Sequence, residues 1–358
     1  MSGERGFDQD FMLGLKTAEV AYGSTATAVN SSNFVRMRGY SPDLAPDKFA
    51  DQVYNDSDTV NGSEYATEQE IVHKRVEFKY TEPRARPGTI IGLMALAEGG
   101  TTPTKDGAVD AWRHVIEECA TGTSLKSVNG IWRKGDYQIL MKGLKVKGWE
   151  LSMEEEGGVN FSADFIGSGY RATNADSFVS YSSEPRLYSK YAAVRHEEGA
   201  NISISGTLTQ GAENISSATP TDIGPRAKSW KITRSLNMTG EGGFGGGDYL
   251  QDADYARRQI ELALTLRYLD AAEMDYYESQ TNLAFELDCV HSSLVAVGGT
   301  YYWGFKFVLP LGKLKEAPAA EGGIADKLTR NYNVTLLADG TNKIFKFVGY
   351  NAIAAYLA

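Results

Sequence analysis

Polar and apolar residues alternate along much of this chain with the period of two that a half-buried strand requires. Val76, Phe78 and Tyr80 alternate with Arg75, Glu77 and Lys79. The same period returns from Tyr137, with Trp149, Leu151 and Met153 on one flank and Glu150, Ser152 and Glu154 on the other. Beyond Gly157 and Gly158 it continues through Val159, Phe161, Ala163 and Phe165, opposite Asn160, Ser162 and Asp164, and so predicts a long hairpin. A second long hairpin is predicted from 230–238 and 260–268, where Leu262, Leu264 and Leu266 alternate with Glu261, Ala263, Thr265 and Arg267. Further strands are expected at 202–205, 284–290, 301–309, 332–337 and 344–350.

Two segments depart from this period. In 87–97, prolines stand at a helix start, Ile90, Leu93, Met94 and Ala97 recur at helical spacing, and Gly99-Gly100 end the run. Residues 270–278 read as a second short helix with Asp270 as its N-cap. Residues 112–119 fit helix and strand equally. Residues 1–70 are polar and turn-rich, an arm with long loops and one short strand near 33–40.

The order strand, short helix, further strands occurs twice. The run 75–81 with its helix matches 258–265 with its helix, and 135–158 matches 299–323, as a tandem duplication with insertions would give. The expected class is therefore mainly β with short helices (α+β), in two tandem β-sandwich units. Their expected boundaries are an arm at 1–70, a first unit at 71–170, a connection with a short strand at 171–200 and a second unit at 201–358. A length of 358 residues agrees, because single cores stop growing at about 250–300 residues.

Composition narrows the function classes. The 38 glycines against 10 prolines fit many turns. A net charge of −10 argues against binding nucleic acid by neutralising phosphates. Cys119 and Cys289 stand far apart, so neither a disulfide framework nor a zinc site is expected. No apolar stretch approaches the ~20 residues of a membrane helix. The first ten residues hold no apolar core of a secretory leader, so synthesis in the cytosol is expected.

Motifs of known chemistry are weak here. Gly240-Glu-Gly242-Gly-Phe-Gly245 spells a dinucleotide-binding pattern, but Asp248, Asp252 and Asp254 follow where a helix N-terminus should meet phosphate. A hairpin tip is the better reading. His73, His114, His196 and His291 lack a metal-ligand neighbour at helical spacing. Catalytic, cofactor-binding and metal residues are accordingly expected to be none, and the chain is not expected to be an enzyme. With 20 Tyr, 14 Phe and 5 Trp, a glycan-binding β-sandwich is an alternative, although aromatics also suit strands and subunit interfaces. The acidic runs 154–156 and 248–254 read as solvated loop tips, or as contacts to a neighbouring subunit or a channel.

Several segments together resemble the tail tube proteins of long, non-contractile tailed bacteriophages. Gly14-Leu-Lys-Thr-Ala-Glu19-Val-Ala-Tyr22 resembles the family's N-terminal arm, and Pro87-Gly-Thr-Ile-Ile-Gly-Leu-Met its first helix. Lys147-Gly-Trp149-Glu-Leu-Ser-Met through Ser162 resembles its strand–turn–strand, and Tyr255-Ala-Arg-Arg258 through Leu266 its second long hairpin. The resemblance covers most of 14–350, and an appended immunoglobulin-like domain is not expected.

The resemblance implies stacked rings whose hairpins join an intermolecular β-barrel around a lumen, in a virion tail assembled in the host cytoplasm. A duplicated chain would need three copies per ring, and a single larger domain six. The implied partners are further copies of the chain, a tape-measure protein and tail tip or terminator proteins. DNA would transit without specific binding, and no membrane is involved. A neck or tail-terminator ring is a related alternative. On the alternation above, Glu77, Glu150, Glu154, Asp164 and Glu261 are candidates to line the lumen, with Lys79 and Arg267 as minority positives. Loops 98–108 and 240–257, with the arm 1–40, are candidates for ring stacking, the second loop through Gly242, Phe244, Asp248, Asp252 and Asp254.

Overall fold

Strand alternation on this scale needs neighbouring strands and cover for the apolar face, and eighteen strands supply both through one antiparallel network, with three separate two-stranded pairs beside it. The computed structural model describes residues 9–24, 28–39, 50–54, 69–73, 76–198, 203–204, 208–210, 212, 214–216, 221–241, 249–267, 272–316, 320–321, 329–338 and 343–358. The first half carries β1 (Gln9–Leu13), β2 (Val35–Met37), β3 (Ala50–Tyr54), β4 (Gln69–His73) and β5 (Val76–Glu82). Helix α1 (Pro87–Glu98), β6 (Thr102–Lys105), β7 (Trp112–Glu117), β8 (Val128–Lys134), β9 (Tyr137–Glu154) and β10 (Asn160–Gly167) follow. The middle holds β11 (Arg171–Thr173), β12 (Ala192–Glu198), β13 (Ser203–Ile204), β14 (Ile215–Ser216) and β15 (Thr221–Asp222). Next come β16 (Ala227–Ser235), β17 (Met238–Glu241), β18 (Asp252–Tyr255) and β19 (Gln259–Arg267). The last part holds α2 (Ala272–Glu278), β20 (Leu283–Leu294), β21 (Tyr302–Leu314), β22 (Ala320–Glu321), β23 (Thr329–Leu336) and β24 (Lys346–Asn351).

Three paths cross this network. One runs β5-β10-β9-β16-β19-β23-β21, each pair antiparallel. A second runs β15-β12-β20-β21-β24-β7-β6. A third runs β2-β1-β8-β9. The long strands β9 and β21 belong to two paths each, so they tie the layers together. Residues 112–117, open between helix and strand on periodicity, are a strand because β6 and β24 flank them. The arm holds more strand than its composition suggested: β1 is paired on both edges. Asp270, the expected N-cap of α2, lies outside the described residues.

Helix α1 is the pivot of the interior. All of its residues are buried, as an apolar surface on every side demands, and it touches β7, β9, β21 and β24. Gly99, with φ of 87°, ends it in the left-handed conformation that glycine adopts without strain. Its first turn is capped from far along the chain: the Gly88 N–H donates to Glu184 Oε2 at 2.5 Å. A Cβ on Gly88 would fall 2.4 Å from that carboxylate, so any larger residue there would displace the cap.

The same path order occurs twice. β5 pairs with β10, β10 with β9 and β9 with β8. In the second half β19 pairs with β23, β23 with β21 and β21 with β20. A helix follows the first strand in each set. The two sets share one interior: Trp149 packs its ring 5.9 Å from that of Phe307, and one core cluster draws on both halves. The C-terminal segment returns to the first half, where β24 pairs with β7 and the Leu357 N–H donates to the carbonyl of Leu15.

Candidate functional site

The path from β5 to β21 has one greasy and one wet face. Its inner face carries Val76, Phe78 and Tyr80 of β5, Phe161 and Phe165 of β10, and Trp149, Leu151 and Met153 of β9, all buried. Trp230 and Ile232 of β16, Leu262, Leu264 and Leu266 of β19, and Tyr332, Val334 and Leu336 of β23 complete it. Each large apolar side chain buried this way contributes roughly 1.5–3 kcal/mol.

The opposite face is polar from end to end. One ladder crosses all its strands in register: Thr81, Ser162, Glu150, Thr233, Glu261, Thr335 and Lys313. A second runs Lys79, Asp164, Gly148, Ser235 and Gln259. A third runs Glu154, Ser229, Thr265 and Asn331. Glu77, Glu150, Glu154, Asp164 and Glu261 therefore share one face of one sheet. Glu154, Asp164 and Glu261 are exposed, whereas Glu77 and Glu150 are half-buried.

Basic residues on this face are more numerous than the two minority positives the alternation suggested. Lys231, Lys313, Lys315 and Lys147 join Lys79 and Arg267. A β-bulge opposite Asp164 and Phe165 inserts Lys147 into β9, and its ammonium lies 3.7 Å from Glu77. Lys231 lies 3.6 Å from Glu150 and Lys315 lies 3.4 Å from Glu261. Arg267 and Lys228 both pair with Glu155, so that member of the acidic run 154–156 joins the β9–β10 turn to β16 and β19 of the same chain. Glu77, Glu150 and Glu261 thus each stand beside a lysine of the same face.

An open hollow of about 510 Å³ indents the face over β5, β10, β9 and β16. Gly148 forms its floor, because a Cβ there would meet the carbonyl oxygen of Arg234 at 2.7 Å. Asp164 stands at its wall. Desolvation lifts that carboxyl above its ordinary range, while Lys79 and Lys147 pull it back. Among the described residues, no three His, Cys, Asp or Glu side chains converge as a metal site would require.

The second candidate loop is tied down at its base. Asp252 accepts from the buried Lys145 ammonium at 2.6 Å, and the Leu250 N–H donates to the carbonyl of Ser168. Asp252 is thereby paired within the chain while still half-exposed, and Asp254 is exposed. Gly242, Phe244 and Asp248 lie outside the described residues.

Sequence reasoning missed three charged residues at structural joints. Arg234 sits on the core face of β16 with its side chain fully buried, bonded to Glu98 at 3.0 and 3.2 Å. Glu184 caps α1, and burial raises its carboxyl to about 7, opposed by the Gly88 N–H. Arg234 alone left a trace in the sequence, a charge at the third core position after Trp230 and Ile232.

The edges of the path complete the geometry. Among the described residues, β5 has no strand on the side away from β10. Nor has β21 beyond Gly312 on the side away from β23. Exposed edges of this kind accept further strands. A search of curated proteins returned no match. The family model described as phage tail tube protein matches residues 15–336. That match spans β2 through β23 and the whole polar face, and the chain belongs to the phage tail tube protein family.

Proposed function

We propose that three copies of this chain close into a ring, that the polar face of the β5–β21 path lines its bore, and that stacked rings conduct DNA during ejection. One observation carries this reading: a polar ladder crossing seven strands in register and ending at two unpaired edges. The internal junction offers the template for closure. β16 adds to the edge of β9 opposite β10, and β21 beyond Gly312 presents the corresponding edge to the next copy. Closure removes both edges, as in any barrel. With two strand sets per chain, three chains supply the six sets that family resemblance implies.

The paired charges suit a conduit. DNA held by cations releases counterions at each phosphate contact, and binding then depends steeply on salt. Lysines already paired with carboxylates offer few such contacts, so the duplex passes without being held. Screening limits the reach of any charge to a Debye length of about 8 Å. Stacking falls to the ring rims, with loops 98–108 and 240–257 as candidates, the latter through Asp252 and Asp254. A tape-measure protein and tip or terminator proteins are the expected partners, with assembly in the host cytoplasm. Native mass spectrometry of purified rings tests the stoichiometry: three chains per ring support the proposal, and six overturn it.

A further inference from the structure

Two strand pairs stand outside the main network at matching places in the two strand sets. Among the described residues β3 and β4 pair only with each other, and β4 ends at His73, just before β5 begins at Val76. β17 and β18 likewise form a pair of their own, and β18 ends at Tyr255, just before β19 begins at Gln259. Each ribbon thus precedes the strand that opens its set. A lone two-stranded ribbon is at best marginally stable in water, so each needs a surface to lie on.

The β17–β18 ribbon finds its surface on the first set. The Leu250 N–H donates to the carbonyl of Ser168 at 3.1 Å. The buried Lys145 ammonium donates to Asp252 at 2.6 Å and to the carbonyl of Ala253 at 2.8 Å. The Tyr255 hydroxyl donates to the Ala120 carbonyl at 3.3 Å and accepts from the Gly122 N–H at 3.0 Å. A ribbon of the second set therefore clasps the first, across the junction where β16 adds to β9. For the β3–β4 ribbon the corresponding neighbour is a second set on the β5 side. The chain's own second set begins beyond β9, on the opposite side of the first set from β5.

The second set repeats the landing site. Ser168 follows the end of β10, and its N–H donates back to the Lys142 carbonyl of β9 at 3.2 Å. Leu337 follows the end of β23, and its N–H donates back to the Leu311 carbonyl of β21 at 2.9 Å. Leu337 is the counterpart of Ser168. Leu311 and Leu337 are half-buried and Ala338 is exposed, beside the open edge of β21 beyond Gly312. Charge matches as well: residues 50–72 hold six Asp or Glu and no Lys or Arg, while Lys313 and the exposed Lys315 stand at the receiving edge. Resting on the reading of the chain as two strand sets that build a ring, we infer that the β3–β4 ribbon of one copy docks on the second set of its neighbour, over Leu311, Leu337, Ala338 and Lys315. The contact is head-to-tail, with the ribbon on one side of each copy and the landing site on the other, so it is satisfied in full only by a closed ring. Opposite charges orient the encounter.

The test uses two variants of the full chain. In one, 50–73 is replaced by a short Gly-Ser linker, which spans the gap because Ala50 and His73 stand opposite each other in the register. The other is Lys315→Glu/Ala338→Asp, at two exposed positions, so a thermal melt should match the wild type. At a concentration where the wild type forms rings, native mass spectrometry should show each variant as single chains. Mixed one to one, they should give a species of two chains and no larger, because only the ribbon of the second and the landing site of the first remain intact. Either variant alone closing into rings with the wild-type number of chains, or a mixture that stays single-chain, overturns the docking and leaves the ring reading standing. A wild type that forms no ring overturns both.

Discussion

Glu261 and Leu262 are neighbours in β19 with opposite surroundings: the Glu261 side chain is 57% exposed and Leu262 is 1% exposed. The pleat of the strand makes this division, and the register repeats it across the whole path. Leu262→Ala should therefore cost about 2–5 kcal/mol of unfolding free energy, from lost transfer energy and the cavity left behind. Glu261→Gln should change it by less than about 0.5 kcal/mol, as surface substitutions do. Urea denaturation of both variants checks the pair, and equal losses would place Glu261 in the core.

Charge reversal on the polar face should change transport and leave folding intact. Glu150→Lys with Glu261→Lys frees Lys231 and Lys315 from their partners and adds two further cations. Assembled tubes of this variant should retain DNA, with retention falling as salt rises. Wild-type tubes should show little retention at any salt. A filter-binding titration at several salt concentrations reads both, and a variant that retains no more DNA than wild type would remove this face from the bore.

Glu184 should leave a pH signature. Its carboxyl titrates at about 7 in the folded chain and near 4.3 when unfolded. The folded state therefore binds more protons between those values, so stability falls as pH rises through that window and is level above it. Glu184→Gln does not titrate. Its stability relative to wild type should rise between about pH 4.5 and 7, by at most about 4 kcal/mol. Melting both proteins across that range is the check, and a constant difference would mean that Glu184 is not held as the cap of α1.

Much of this was legible in the sequence, and the rest was not, for physical reasons. The two long hairpins and the five acids on one flank follow from the period of two, because a pleated strand has no other way to sort its side chains. What escaped was tertiary. β1 lies in a polar arm and is a strand because β2 and β8 flank it. Residues 112–117 depended on β24, which is remote in the chain. Lys147 reached the polar face through a bulge, which alternation cannot foresee. Glu184 caps a helix 96 residues earlier, and no local pattern marks such a partner.

Ring stacking can be separated from ring closure. Deleting 242–248 should leave the number of chains per ring unchanged while shortening or abolishing tubes in negative-stain micrographs. Tubes of normal length would take that loop out of the stacking contact.

The central claim is that the hydrophilic flank of the β5–β21 path paves the channel. Cryo-electron microscopy of assembled tubes at side-chain resolution tests it most directly. Glu150, Glu261 and Lys313 should face the channel, with Leu262, Leu264 and Leu266 turned into the protomer and β21 continued by a strand of the next copy. A map with those leucines toward the channel, or with no strand of a neighbour along β21, would contradict the account.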